Sequence, residues 1–253
     1  MTFNKNIKLI AFALISFVLI SSCKKDEEVT PTKNCTKGQG AITTTTLSVT
    51  NFLGIDLAFS SNVTIHEGPT LNVQATGHSN IIQKIKTNVS SGIWIIELED
   101  GCYEDYQLAI DITIPNINSL KLSGSGNILV NNFSNQNGIL LMDLSGSGDL
   151  TLNQFEGITT INSFITGSGG IQTNQDILSL EALNLTLSGS GAYIGFEIKS
   201  DDCAIHSSGS GNVETTVENN LDVLISGSGS ISYKGTPTII QNISGSGQLI
   251  DAN

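Results

Sequence analysis

From Ser119 onward the chain alternates apolar and polar residues in short runs, and each run breaks on a Gly-Ser-Gly triplet. The triplets carry the glycine pairs Gly124/Gly126, Gly146/Gly148, Gly167/Gly169, Gly189/Gly191, Gly209/Gly211, Gly227/Gly229 and Gly245/Gly247. Successive first glycines stand 22, 21, 22, 20, 18 and 18 residues apart, the length of one turn of a β-solenoid and too short for a helix pair or a propeller blade. Set in register, positions two, four and six before the first glycine are apolar almost throughout, as in Leu122, Leu144, Ile165, Leu187, Ile225 and Ile243, with Ser207 the exception in that column. Four residues after the glycine come Ile128, Leu150, Ile171, Tyr193, Val213, Ile231 and Leu249. A period of two is that of a half-buried strand. Each copy therefore reads strand, tight turn, strand, and the fourteen glycines are expected to supply positive φ at the corners and to leave room for the next copy.

One copy cannot bury its apolar edge alone, but stacked copies bury a continuous column. The pattern predicts an all-β fold, a right-handed parallel β-solenoid over 119–253. The alternative is a stack of antiparallel hairpins, since two strands joined by a Gly-rich turn also read as a hairpin. Residues 41–118 lack the triplet but are equally rich in strand pattern, around Ile55, Val63, Leu71, Ile93 and Tyr106 to Ile114, with a turn or two of helix between Asn80 and Lys86. They are expected to be irregular coils of the same domain that cap the stack, a role terminal repeats need.

Residues 1–22 read as a signal peptide: Lys5 and Lys8 precede an apolar run from Leu9 to Ile20 that is too short for a permanent membrane helix. Ile20-Ser21-Ser22-Cys23 resembles a bacterial lipobox, which implies that Cys23 carries lipid and that 23–40 is a tether. The following Lys24-Lys25-Asp26-Glu27-Glu28 is similar to the export signal that sends Bacteroidetes lipoproteins to the outer face of the outer membrane.

Without residues 1–22 the chain holds 9 Lys, no Arg and 23 acidic residues, so its formal charge is 9 − 23 = −14. Nucleic acid is a poor partner for such a surface, because phosphate neutralisation needs a basic face. Acidic polysaccharides and bare anionic membranes are disfavoured on the same ground. Cys203 falls in an apolar column and reads as a small buried hydrophobe. Cys35 and Cys102 lie in polar, loop-like surroundings and suit a disulfide that fastens the tether to the body.

The segments "LKLSGSGNILV", "MDLSGSGDLTL", "LTLSGSGAYIGF" and "VLISGSGSISYKGTP", with "VTIHEGPTLNVQATGHSNIIQKIKTNVSSGIWIIEL" upstream, resemble the DUF2807 family, the "putative auto-transporter adhesin, head GIN domain". The resemblance runs from about Thr43 to the C-terminus. It implies a pectin-lyase-like β-helix, a part in cell adhesion and a homotrimer.

Chemistry is sparse in this pattern. Asp143, Asp149, Asp176, Glu181, Glu197, Asp201, Asp202 and Glu214 could in principle supply the carboxylate pair of a glycosidase, but they sit in different copies and columns. Serine in a motif repeated seven times is a corner residue rather than a nucleophile. His66, His78 and His206 have no obvious partners, and only Asp149 follows its triplet with an acid, so no carboxylate ladder for calcium is present. No cofactor or metal is expected. The reading is a non-enzymatic, outer-membrane, surface-exposed lipoprotein that binds glycan or a host or cell-surface protein through repeated polar ladders. The alternatives are a passive envelope scaffold, or a glycan-active enzyme with a site near Trp94, Tyr103 and Tyr106.

Overall fold

Two parallel sheets, joined at the Gly-Ser-Gly corners, carry the computed structural model, which describes residues 34–134, 138–174 and 178–253. The expected signal peptide, the lipid attachment at Cys23 and the tether as far as residue 33 lie outside the described residues. In the first sheet Ser119–Leu122, Gly138–Leu144, Ile158–Ile165 and Leu178–Leu187 follow one another in parallel register. The distal parts of Ala192–Ser207 and Val213–Ile225, then Thr238–Ile243, continue that sheet. The second sheet stacks Asn127–Phe133, Leu150–Phe155, Gly170–Thr173, the proximal parts of the same two long strands, Ser230–Lys234 and Gln248–Asp251. Every triplet thus joins strands of different sheets, and the hairpin alternative fails because each repeat strand pairs in parallel with the coil next to it.

The inward columns are buried, as the period of two requires. Leu122, Leu144, Ile165, Leu187 and Ile225 line one wall, and Ile128, Leu150, Ile171, Tyr193, Val213 and Ile231 the other. Phe133 and Phe155 stack in the interior with ring centroids 5.2 Å apart. Each is preceded by a residue in the left-handed region, Asn132 at φ 56° and Gln154 at φ 52°, at the end of the second-sheet strand.

The triplet glycines do a different job from the one their sequence suggests. The expectation of positive φ fails at every one of them: at the first glycines Gly124, Gly146, Gly167, Gly189, Gly209, Gly227 and Gly245, and equally at the second glycines Gly126, Gly148, Gly169, Gly191, Gly211, Gly229 and Gly247. Among the described residues that conformation belongs to Gly40, Gly92, Gly138, Gly157 and Gly235, and to four non-glycines. The constraint on the triplets is the neighbouring coil. The amides of five middle serines donate to the carbonyl of the first glycine one coil before: Ser147 to Gly124 at 3.2 Å, Ser168 to Gly146 at 3.1 Å, Ser190 to Gly167 at 3.1 Å, Ser210 to Gly189 at 3.0 Å and Ser228 to Gly209 at 2.9 Å; at the last corner the Gly247 amide reaches the Gly227 carbonyl instead, at 3.1 Å. Those carbonyls point straight at the corner above. A Cβ on Gly146 would collide with the Gly124 oxygen, and Gly167, Gly189, Gly209, Gly227 and Gly245 each meet the first-glycine oxygen of the preceding coil in the same way. The second glycines form a parallel column. A Cβ on Gly148 would strike the Gly126 oxygen, and one on Gly169 the Gly148 oxygen; Gly191, Gly211, Gly229 and Gly247 meet the oxygens of Gly169, Gly191, Gly211 and Gly229 in turn.

Space order departs from chain order at the start of the stack. Gly54–Leu57 and Asn62–Glu67 form a coil that lies between two others: Ser119–Phe133 on one side, and Ile93–Ile96 with Leu108–Ile114 on the other. The chain lays down an inner coil, travels outward to add an outer one, and returns to start the repeats. Beyond the outer coil, Asn72–His78 runs antiparallel on Leu108–Ile114, and Ile42–Thr46 runs antiparallel on Asn72–His78. Val89–Ser90 closes the other sheet, antiparallel to Ile93–Ile96. Within 41–118, residues 54–67 and 93–114 are thus coils of the stack, the outermost cap is antiparallel strand, and the helix is one turn, Ser79–Ile82.

Two buried serine hydroxyls stand out in the apolar columns, besides the buried Tyr193 phenol. Ser163 and Ser207 lie inside and their Oγ atoms have no hydrogen-bond partner among the described residues. A desolvated, unpaired hydroxyl costs about 1–3 kcal/mol. Ser207→Ala is therefore expected to be neutral or to stabilise by up to about 1 kcal/mol in urea unfolding, whereas Leu187→Ala in the adjacent coil of the same column should lose about 2–5 kcal/mol. In the same assay Gly148→Ala should cost about 1–3 kcal/mol through the backbone clash, and Ser147→Ala, on the exposed apex, should stay within about 0.5 kcal/mol of the parent.

A candidate binding trough at the cap

At the cap end the corner column stops, and a concavity opens there. Gly124 and Gly126 stack on Phe59 and Ser61 of the inner coil, whose own corner, Ala58-Phe59-Ser60-Ser61, has no glycine. It needs none, because the outer coil does not turn beneath it: between Ile96 and Leu108 the chain loops out through Glu97 to Gln107. The space left is a trough of two lobes. One, of about 670 Å³, is lined by Ser60, Ser61, Thr76, Tyr106, Gln107 and Ser125. The other, of about 520 Å³, is lined by Phe59, Ser60, Glu97, Glu99, Asp100, Tyr103 and Tyr106. Ser60 and Tyr106 face both.

The loop is held from outside. Cys35 and Cys102 form a disulfide, and Thr36–Lys37 pairs in parallel with Tyr103–Glu104. Lys37 Nζ lies 2.8 Å from Asp105 and 3.3 Å from Glu104, and both carboxylates push its pKa up, Asp105 the more strongly. The Asn80 side chain donates to the Lys37 carbonyl and accepts from the Gln39 amide. The Gln107 amide donates to His78 Nδ1 at 3.1 Å. Residues 35–40, which the sequence places in a tether, are thus part of the folded body, which begins at Cys35 as one compact unit.

Inside the trough, Tyr103 and Tyr106 meet edge to face with centroids 6.4 Å apart. The Tyr103 hydroxyl donates to the Glu99 carbonyl at 2.8 Å. Burial first, and Tyr103 second, push the Tyr106 phenol above its ordinary value, so it remains a protonated donor at physiological pH. The acids on the rim are occupied by lysines: Glu99 by Lys84 at 2.8 Å, Glu97 by Lys86 at 3.1 Å, and Asp100 by Lys86 at 3.5 Å. What the trough offers is half-exposed aromatic surface among hydroxyls and amides.

Of the remaining candidate residues only Glu197 and Glu214 come together, on a shallow depression of about 390 Å³ lined also by Thr173, Asn174 and Phe196; the others described stay apart. Trp94 is fully buried against Phe52, with its indole N–H donating to the Lys86 carbonyl. Asp149 accepts from the Gly170 amide, Asp202 from Asn220, and Asp143 lies 3.8 Å from Lys121. His66 lies 3.4 Å from Asp111, and His206 faces outward in register with Thr186 and Leu224. Among the described residues no three of His, Cys, Asp and Glu come together as a metal site. The Cys203 thiol is buried and pushed up to about 12, which keeps it protonated and inert. Asp176 lies outside the described residues.

The polar ladders turn out to be engaged with themselves. Asn127 donates to Asn62, Asn153 to Asn131 and Asn184 to Asn162, at 2.9 to 3.1 Å. Between them the outward face carries exposed Ile139, Leu141 and Phe164, which the repeat pattern does not single out.

The fold and its cap define a disulfide-pinned β-solenoid with an open trough where the corner column ends. The chain belongs to the DUF2807 family, "Putative auto-transporter adhesin, head GIN domain", whose profile matches residues 51–237. A crystal structure of a putative adhesin from Bacteroides fragilis is similar at TM-score 0.76 and 20% identity, over 85% of this chain and 98% of that one. A putative adhesin from Parabacteroides distasonis matches at TM-score 0.64 and 20% identity, over 84% and 98%. A putative lipid binding protein from the same species matches at TM-score 0.64 and 20% identity, over 85% and 99%. No curated protein matches the chain.

Because the disulfide closes a separation of 67 residues, the double variant Cys35→Ser/Cys102→Ser should lose about 2–4 kcal/mol of stability. Urea unfolding in oxidising buffer checks this, and equal midpoints for parent and variant would contradict it.

Proposed function

We propose that the protein is a non-enzymatic, lipid-anchored binding module displayed on the cell surface, and that it holds neutral glycan in the trough at its cap. The observation that carries this reading is the half-exposed Tyr103/Tyr106 pair set among Ser60, Thr76, Gln107 and Ser125. Sugar rings present apolar C–H faces and a rim of hydroxyls, which aromatic rings and mixed donor–acceptor side chains match. The body's acidity favours an uncharged sugar over a uronate or sulfated chain. Pairing of Glu97 and Glu99 with lysines leaves no free acid–base couple at the trough, which supports binding over hydrolysis. Membership in an adhesin-named family supports the surface assignment, with the lipid on Cys23 as its anchor. Among the described residues no helix is long and apolar enough to cross a membrane.

A lipid reading has one observation in its favour besides the name of the similar Parabacteroides protein. A crevice of about 450 Å³ at the far corner is lined by Phe52, Leu53, Pro69 and Leu71. Both readings meet in one experiment. Residues 34–253 are applied to a glycan array and to phosphatidylcholine vesicles, as parent, Tyr106→Ala and Leu53→Ser. Retention on neutral glycans that falls tenfold or more in Tyr106→Ala supports the trough; unchanged retention in that variant contradicts it. Vesicle binding lost only in Leu53→Ser supports the lipid reading instead. Protease shaving of intact cells tests display, and resistance would count against a surface position.

A further inference from the structure

The two ends of the solenoid are finished differently. At the cap, antiparallel strands cover both sheets, and the last of them, Ile42–Thr46, presents five exposed residues of which four are threonine. At the other end nothing among the described residues covers the final coil. Thr238–Ile243 pairs only with Asn220–Ile225, and Gln248–Asp251 only with Ser230–Tyr233. All six residues of Thr238–Ile243 are exposed. Columns buried in the coils beneath surface here: Ile239 is 36% and Ile243 39% exposed, beside partly buried Leu249. Sheet edges are ordinarily guarded by charge, proline or a bulge. Residues 238–250, Thr-Ile-Ile-Gln-Asn-Ile-Ser-Gly-Ser-Gly-Gln-Leu-Ile, contain neither a charge nor a proline.

We propose that this coil is a self-association surface on which a second copy of the chain docks end to end about a two-fold axis. Three features select that occupant. The end presents two strand edges about 10 Å apart with an open apolar interior between them. A single added peptide strand would cover one edge, whereas the same end of another copy covers both and closes the interior. A two-fold axis perpendicular to the stack reverses strand direction, so 238–243 and 248–251 each meet their counterpart antiparallel. In a chain of formal charge −12, a face whose only ionised side chain is Asp251 lets two copies approach without like-charge repulsion. A two-fold contact uses the same end of both copies, so this association closes at two.

The expected strength follows from size. Strands of six residues are about 20 Å long, and two sheets with their side chains span about 20–25 Å, giving roughly 400–500 Å² per copy. The total, near 1,000 Å², lies at the low end of specific interfaces and predicts a reversible dimer in the micromolar range.

Sedimentation equilibrium of residues 34–253 between about 1 and 200 µM should show a monomer–dimer equilibrium, with slowed amide exchange at Ile239–Ile243 in the concentrated sample. Ile239→Lys and Ile243→Lys should be monomeric throughout while keeping the parent circular dichroism. Gln241→Glu changes a polar side chain that is already exposed and should weaken association at least tenfold, which keeps the test valid if the lysine variants misfold. A parent that is monomeric at 200 µM, a trimer or larger assembly, or a folded Gln241→Glu that dimerises like the parent would each overturn the proposal.

Discussion

Successive corners approach so closely that a main-chain carbonyl occupies the space where the next corner would carry a Cβ. That one steric relation ties the sequence to the architecture. It explains why glycine flanks each serine, why the serine amide can reach the carbonyl below, and why consecutive coils are in register at the corners while the register shifts lie away from them, near Gly138 and between Gly195 and Asp202. Once the corners are in register, strands before and after them must pair in parallel with their counterparts, and the alternating apolar residues must fall into columns. The hydrophobic effect then stabilises what the corner has already positioned.

The same relation locates the trough. A corner needs glycine only where another corner lies beneath it, and Ala58-Phe59-Ser60-Ser61 has a corner above it but none beneath. On its other side the loop from Glu97 to Gln107 swings away, and the disulfide with the Thr36–Lys37 pairing holds it there. The concavity is thus a consequence of ending the repeat, with its walls drawn from segments distant in sequence. Ligand-competent side chains gather there because the ladders elsewhere already bond from coil to coil.

The columns, the coil length and the parallel stack were legible in the sequence because each repeat states the same period again, and seven copies average out local noise. The role of the glycines was only half legible. Absence of a Cβ and tolerance of positive φ are properties of the same residue, and sequence cannot say which one a site uses. Residues that do adopt the left-handed conformation, such as Asn132 and Gln154, look like ordinary polar positions. The interleaving of 54–67 between 93–114 and 119–133 was not legible at all. Each of these coils has the same alternation, and the choice of neighbour depends on non-local edges that carry no local mark. Tyr103 and Tyr106 could be picked out as aromatics in a polar stretch; Ser60, Thr76 and Ser125 could not, since only the fold brings them together.

The contrast between the two ends bears on how such a molecule would stand on a membrane. Cys35 is fastened to the cap, and it lies 35 − 23 = 12 residues after Cys23. A stretch of that length spans at most about 40 Å when extended. If Cys23 carries lipid, the cap is the end of the body joined to the anchor by the shorter stretch of chain. A dimer joined through the final coils would then hold its two lipid anchors at opposite ends, one for each of two facing membranes. A dimer of that geometry bridges surfaces, whereas two copies anchored side by side on one membrane would keep their final coils out of reach of each other. An end-to-end dimer of that kind would itself be an adhesive contact, and the proposed glycan trough, at the other end of the stack, would stay free of it.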